Sequence, residues 1–160
     1  MNQRGIVVLA LAIAIGILTG CSGRGGGYET LTAADVGERI QQATSLSEMQ
    51  RGDAGKLQKM YHIEASDVAD FVLYTAVSNV KADEVAVIKV KDASEIESVM
   101  DQIRQRIEAQ TVKFKDYRPE EYYLIEKHVL KSNGPFVFFA VLKDADRMER
   151  AFDEALKQAT

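Results

Sequence analysis

The sequence predicts an α+β domain: a four-stranded antiparallel sheet with helices packed on one face, made of two β-β-α halves and preceded by N-terminal helices. Three observations predict it. Two pairs of runs rich in β-branched and aromatic residues, 71–77 with 84–91 and 128–132 with 135–142, are each joined by a turn. Each pair leads into a segment with the 3.6-residue apolar period of a helix. A weak internal repeat marks both junctions: Lys91-Asp92-Ala93-Ser94-Glu95-Ile96-Glu97 is similar to Lys143-Asp144-Ala145-Asp146-Arg147-Met148-Glu149, and Asp101 then matches Asp153. Duplication and convergence on the same turn and cap chemistry account for this repeat equally well.

Residues 1–20 predict a signal peptide. Arg4 supplies a positive start, and Ile6 to Leu18 is an apolar run broken only by Gly16. About 13 helical residues reach about 20 Å, short of a hydrocarbon core of about 30 Å, so the run is a signal core and not a membrane span. Leu18-Thr19-Gly20-Cys21 resembles a lipobox, in which the cysteine is diacylated and becomes the new N-terminus. Residues 21–30, with Gly23, Gly25, Gly26 and Gly27, are expected to form a flexible tether. A single domain is expected over 31–160.

Within that domain each element has a local cause. Thr32 with Asp35 is an acidic capping box, and Val36, Ile40 and Ala43 follow at helical spacing. Residues 44–52 are polar and predict a connection. Asp53 caps a short helix that buries Leu57, Met60 and Tyr61. Phe71 to Val77 carries no charge and predicts a buried strand; Glu84 to Lys91 predicts a second, central one, because Val85 and Val87 share one face and Ala86, Ile88 and Val90 the other. Ser94 with Glu97 predicts a second capping box, opening a long helix with Ile96, Val99, Met100, Ile103 and Ile107 as its apolar stripe. Pro119 suits the first turn of a further short helix. Asn133-Gly134 predicts the hairpin turn between strands three and four. The last helix carries Met148, Ala151, Phe152, Ala155 and Leu156 on one face and a solvated charged face opposite.

Composition narrows the function. The chain has 160 residues, 46% hydrophobic and 28% charged, which is globular usage. Arg4 is the only charge in 1–20, so a mature body keeps 19 basic against 24 acidic side chains. That balance argues against binding duplex nucleic acid, which takes a basic stripe. One cysteine and two histidines exclude a disulfide framework and leave too few ligands for an all-protein zinc site. No metal or cofactor is expected.

A set of residues in order carries a resemblance: Leu57, Tyr61-His62-Ile63, Asn79, Ala82-Asp83-Glu84, Lys89-Val90-Lys91-Asp92, Arg106, Gln110, Phe114, Tyr117, Pro119, Asn133-Gly134 and Asp144-Ala145-Asp146. Over about residues 31–158 the chain resembles the uncharacterised Gram-positive lipoproteins grouped as domain of unknown function 4358. The resemblance implies a location and a domain extent, and no reaction.

Two groups of residues are candidates for chemistry. Asp83 and Glu84, at the entrance to the central strand, are paired carboxylates of the kind that bind cations or act as acid and base; the plainer reading has Asp83 bonding its own turn and Glu84 facing solvent. Arg106, Gln110, Lys113 and, within one further turn, Tyr117 fall along one helical flank if the helix runs that far, with Phe114, Tyr122 and Tyr123 nearby, and a guanidinium beside aromatic rings suits carboxylate, sugar or peptide recognition. The plainer reading has Phe114 and Tyr117 closing the end of the core while Arg106 snorkels or pairs with a nearby carboxylate. His62 and His128 have no neighbouring motif that makes either a catalyst or ligand.

The expected function is a non-enzymatic, lipid-anchored module on the outer face of the cell membrane, attached through Cys21 and binding a partner protein or cell-envelope component through the surface around the long helix. The alternatives are a small envelope enzyme using Asp83 or Glu84, and a solute-recognition protein, for which the domain is small. Cys21→Ser is expected to move the protein from the membrane to the soluble fraction; fractionation showing unchanged membrane retention would refute lipidation.

Overall fold

In the computed structural model residues 26–159 are described; the predicted signal peptide and Cys21 lie outside them. The elements are α1 (Gly26–Thr30), α2 (Ala33–Ala43), β1 (Met49–Arg51), α3 (Ala54–Tyr61), β2 (Val68–Ala76), β3 (Glu84–Val90), α4 (Ile96–Phe114), α5 (Pro119–Glu126), β4 (Val129–Asn133), β5 (Phe136–Val141) and α6 (Ala145–Lys157). The strands form one antiparallel sheet in the order β1-β2-β3-β5-β4.

The sheet has five strands, not the four predicted. The extra one, Met49–Arg51, lies in the stretch read as a connection and pairs with Ala76 to Tyr74 at the edge. Helices also cover both faces of the sheet, where one covered face was expected. The cause is the sequence of the two central strands. Val85, Val87, Phe136, Phe138 and Ala140 bury one face against α2 and α6, and Ala86, Ile88, Val137, Phe139 and Val141 bury the other against α3, α4 and α5. A strand apolar on both sides leaves no face for water, so both must be covered.

The α2–α6 layer is fastened by local chemistry. Thr32 Oγ1 accepts from Asp35 N at 3.0 Å, and Asp35 Oδ2 accepts from Thr32 N at 2.8 Å, the predicted box. Asp70 of β2 adds a second cap, its Oδ2 accepting from Ala33 N at 2.9 Å. Gly37 permits the close approach of α2 to the sheet, since a Cβ there would stand 2.8 Å from Val72 Cγ1. In α6, Met148, Phe152 and Leu156 are fully buried, as predicted, each worth about 2 kcal/mol of transfer free energy.

Two local predictions shift by a residue or two. The box that opens α4 is formed by Asp92 and Glu95 around a 3-10 turn, not by Ser94 and Glu97; Asp92 Oδ1 accepts from Ser94 N at 2.8 Å, so Ser94 is a donor within the cap. Asn133 is the last residue of β4, opposite Phe136, so the hairpin turn is Gly134-Pro135. Of these two, only Gly134 has positive φ, at 55°, the pattern of a turn with glycine in its first central position.

The repeat also resolves into geometry. The β2-β3-α4 and β4-β5-α6 units share a strand order related by a twofold normal to the sheet, yet α4 and α6 lie on opposite faces. The units are of opposite hand, so no rotation superposes them, and their junctions differ as well: Asp92 caps its turn through its side chain, whereas Asp144 makes no side-chain cap.

The expected tether, residues 21–30, gives way to packed structure before residue 30. Tyr28 lies edge-on to Phe136, and its hydroxyl meets Asn133 Oδ1 at 3.3 Å. Lys89, on β3, donates to the carbonyls of Tyr28 at 2.7 Å, Glu29 at 3.3 Å and Leu31 at 2.8 Å, using all three ammonium protons. A Cβ on Gly134 would stand 2.6 Å from the Tyr28 ring. Gly134→Ala is therefore expected to lower stability by about 1–2 kcal/mol through the left-handed backbone alone, and to expose residues 26–31 to protease. Urea unfolding with limited proteolysis checks both; wild-type cleavage in that segment would count against the docking.

Candidate functional site

Neighbouring residues in an extended chain send side chains to opposite sides, so the adjacent carboxylates Asp83 and Glu84 part at the start of the strand. Glu84 is the first residue of β3 and is 2% exposed, where a solvent-facing position was expected. Arg106 from α4 reaches it with Nη2 at 2.8 Å and Nε at 3.2 Å from Oε2. Tyr61, at the end of α3, donates its hydroxyl to Oε1. Burial first, then the adjacent carboxylate, holds the Tyr61 phenol well above its ordinary range, so it remains a donor. Glu84 is thus enclosed by two partners from two helices.

Asp83 goes elsewhere. It is half-buried in a groove of about 950 Å³ at the end of the sheet where β2 and β5 finish and β3 begins. The wall opposite comes from the first turns of α5, with Glu120, Glu121, Tyr123 and Leu124; Met49, Val77 and Leu142 add apolar surface. Val77 and Tyr123 are 70% and 58% exposed, large apolar groups left open to solvent. The loop beneath them is tied down from α5 and α4. Glu121, 2% exposed, accepts from Ala82 N at 2.8 Å and pairs with Lys81 Nζ at 2.8 Å, and Lys113 Nζ donates to the Asn79 carbonyl at 2.8 Å. Asp83 forms no ion pair among the described residues. Burial, and secondly the nearby Glu121 carboxylate, raise its pKa above the ordinary aspartate value, with Lys81 pulling the other way.

The remaining predicted residues are dispersed. Gln110 and Phe114 lie buried in α4, Arg106 belongs to the Glu84 cluster, and Tyr117 is exposed beyond the helix end. Lys113 serves the Asn79 loop. Tyr122 donates to Glu126 Oε1 at 2.8 Å, while Tyr123 opens onto the groove. His62 is the left-handed C-cap of α3, with φ 59°, and His128 Nδ1 lies 2.7 Å from the Ile125 carbonyl. Among the described residues no group of three or more His, Cys, Asp or Glu side chains is placed to hold a metal ion, and no helix is long and apolar enough to cross a membrane.

Sequence reasoning passed over Glu121 and Lys81. Glu121 carried a signal: it stands four residues before Ile125 on the buried face of α5, where a carboxylate needs a partner.

Fold and site together define an antiparallel sheet between two helical layers, with a built groove at one sheet end. Residues 42–142 match the family model described as domain of unknown function (DUF4358), more than half of the chain, and the protein belongs to that family. The match spans the sheet, the α3–α5 layer, the Glu84 cluster and most of the groove, and it leaves out α6. No curated protein and no solved structure matches the chain.

The geometry ranks three substitutions. Arg106→Ala strands a buried carboxylate and is expected to cost about 3 kcal/mol, the low end for a broken buried pair because Arg106 is partly exposed. Tyr61→Phe removes one hydrogen bond and is expected to cost about 1–3 kcal/mol. Tyr117→Ala, at an exposed site, should stay within about 0.5 kcal/mol. Denaturant unfolding measures all three, and a Tyr117 loss equal to that of Arg106 would overturn the assignment.

Proposed function

We propose that this protein is a non-catalytic binding module, lipid-anchored through Cys21 to the outer face of the cell membrane, that engages a partner protein or envelope component through the groove at the sheet end. The observation that carries the binding reading is the exposure of Val77 and Tyr123 on walls that are otherwise rigidly bonded. Open apolar and aromatic surface on a pre-formed concavity is what recognition sites offer. The membrane part rests on the sequence of residues 1–21: a positive start, a short apolar run, and Leu18-Thr19-Gly20-Cys21. In the same reading the family's members would be lipoproteins of Gram-positive envelopes.

Position supports the arrangement. Tyr28, seven residues after Cys21, is docked at the Gly134 hairpin, and the groove lies at the other end of the strands, about 20 Å away at the usual rise per residue. The groove therefore lies at the sheet end remote from the docked Tyr28. A second reading, a small envelope enzyme with Asp83 as acid or base, is favoured by the half-burial and raised proton affinity of that carboxylate. Glu84 takes no part in it, being bonded to Arg106 and Tyr61.

A photo-crosslinking residue placed at Tyr123 in cells producing the full-length protein is expected to give a discrete adduct. The same probe at exposed Glu64, at the far end of the sheet, should give none. Adducts only with lipid or with the protein itself at Tyr123 would overturn the binding reading, and Asp83-dependent turnover of an envelope extract without any adduct would favour the enzyme.

A further inference from the structure

The charges of the groove are unequal, and their bonding decides what they have left to offer. Four carboxylates line it, Glu48, Asp83, Glu120 and Glu121, against two ammonium groups, Lys81 and Lys143. Lys81 is paired with the buried Glu121 at 2.8 Å, and that pair spends itself on holding the loop. Asp83 is left as a half-buried carboxylate with no cation in contact, next to exposed Val77 and Tyr123, the latter with Lys127 Nζ over its ring at 5.8 Å, and to partly buried Leu124. A carboxylate partly withdrawn from water is stabilised by a cation that donates a charge-assisted hydrogen bond to it. Flanking apolar surface suits a cation carried on a hydrocarbon stem.

We propose that the groove receives a lysine or arginine side chain projecting from a partner protein, with Asp83 as counter-ion and Val77, Tyr123 and Leu124 against its aliphatic stem. This rests on the reading of the groove as a binding site and adds the chemistry of its occupant. Anionic lipid headgroups do not suit it, because the lining carries two more negative than positive groups and lies at the sheet end remote from Tyr28. Asp83 is then the residue that sets specificity, and Tyr123 contributes affinity without discriminating charge.

The test titrates the isotope-labelled full chain with the capped tripeptide leucyl-lysyl-leucine amide and with its isostere carrying norleucine in place of lysine. Amide signals of Val77, Asp83 and Tyr123 are followed by NMR. The lysyl peptide is expected to shift these signals and to bind about tenfold more tightly than the isostere. Asp83→Asn should abolish that preference while the thermal melt stays cooperative, and Tyr123→Ala should weaken both peptides alike. Equal binding of the two peptides, a preference for a glutamyl analogue, or shifts confined to residues outside the groove would each overturn the cation assignment. Should Asp83→Asn fail to fold, the comparison of the two peptides on the unaltered chain decides alone. An in-cell adduct at Tyr123 without lysyl preference would leave the binding reading standing and remove only this proposal; loss of both removes both.

Discussion

Glu84 is the constraint around which one half of the molecule is arranged. A carboxylate at the head of the central strand β3 has a large desolvation cost, and it is tolerable only because Arg106 and Tyr61 meet it from two different helices. Those two contacts fix where α3 ends and how far along α4 the sheet lies. Phe114, Ile103 and Val99 then pack at the depth this placement sets. Such a cluster contributes less to net stability than to uniqueness: an apolar core permits sliding, whereas a charge enclosed by two partners has one address.

Much of this fold was legible in the sequence, for reasons that differ by element. Helices with a strong stripe or a side-chain cap, α2 and α6 above all, declare themselves locally: Thr32 and Asp35 close a box by their own spacing, and Met148, Phe152 and Leu156 recur at the helical period. The β1 strand did not declare itself. Three residues, Met49-Gln50-Arg51, take their extended form from pairing with Tyr74 to Ala76, a partner more than twenty positions away. The second helical layer was foreshadowed by β3, apolar on both faces, but no local rule says which helix goes to which side. In the groove, Asp83 stood out as half of an acidic pair. That its companion would be buried and bonded, while Glu121 came in from α5 to hold neighbouring Lys81 and the Ala82 amide, is long-range information that spacing does not carry.

The two sheet ends divide the labour. At one, the Gly134 turn, Phe136 and Lys89 take up the incoming N-terminal segment; at the other, loop ends from β2, β3 and β5 meet α5 to form the groove. The backbone of the loop beneath the groove is held by Glu121 and by Lys113. The family match covers most of that groove, and none of α6. The α6 layer is therefore the part of the fold least described by kinship, and it meets the sheet through Phe138 and Phe152, stacked at 5.0 Å.

The grip of Lys89 on three carbonyls of one short segment has a mechanical meaning. A pull on the N-terminal chain would be felt first by an ammonium mounted in mid-sheet, and through it by β3 along its length, so the load enters as shear across the paired strands rather than as peeling from an edge. Shear engages many ladder hydrogen bonds together, whereas peeling meets them one at a time.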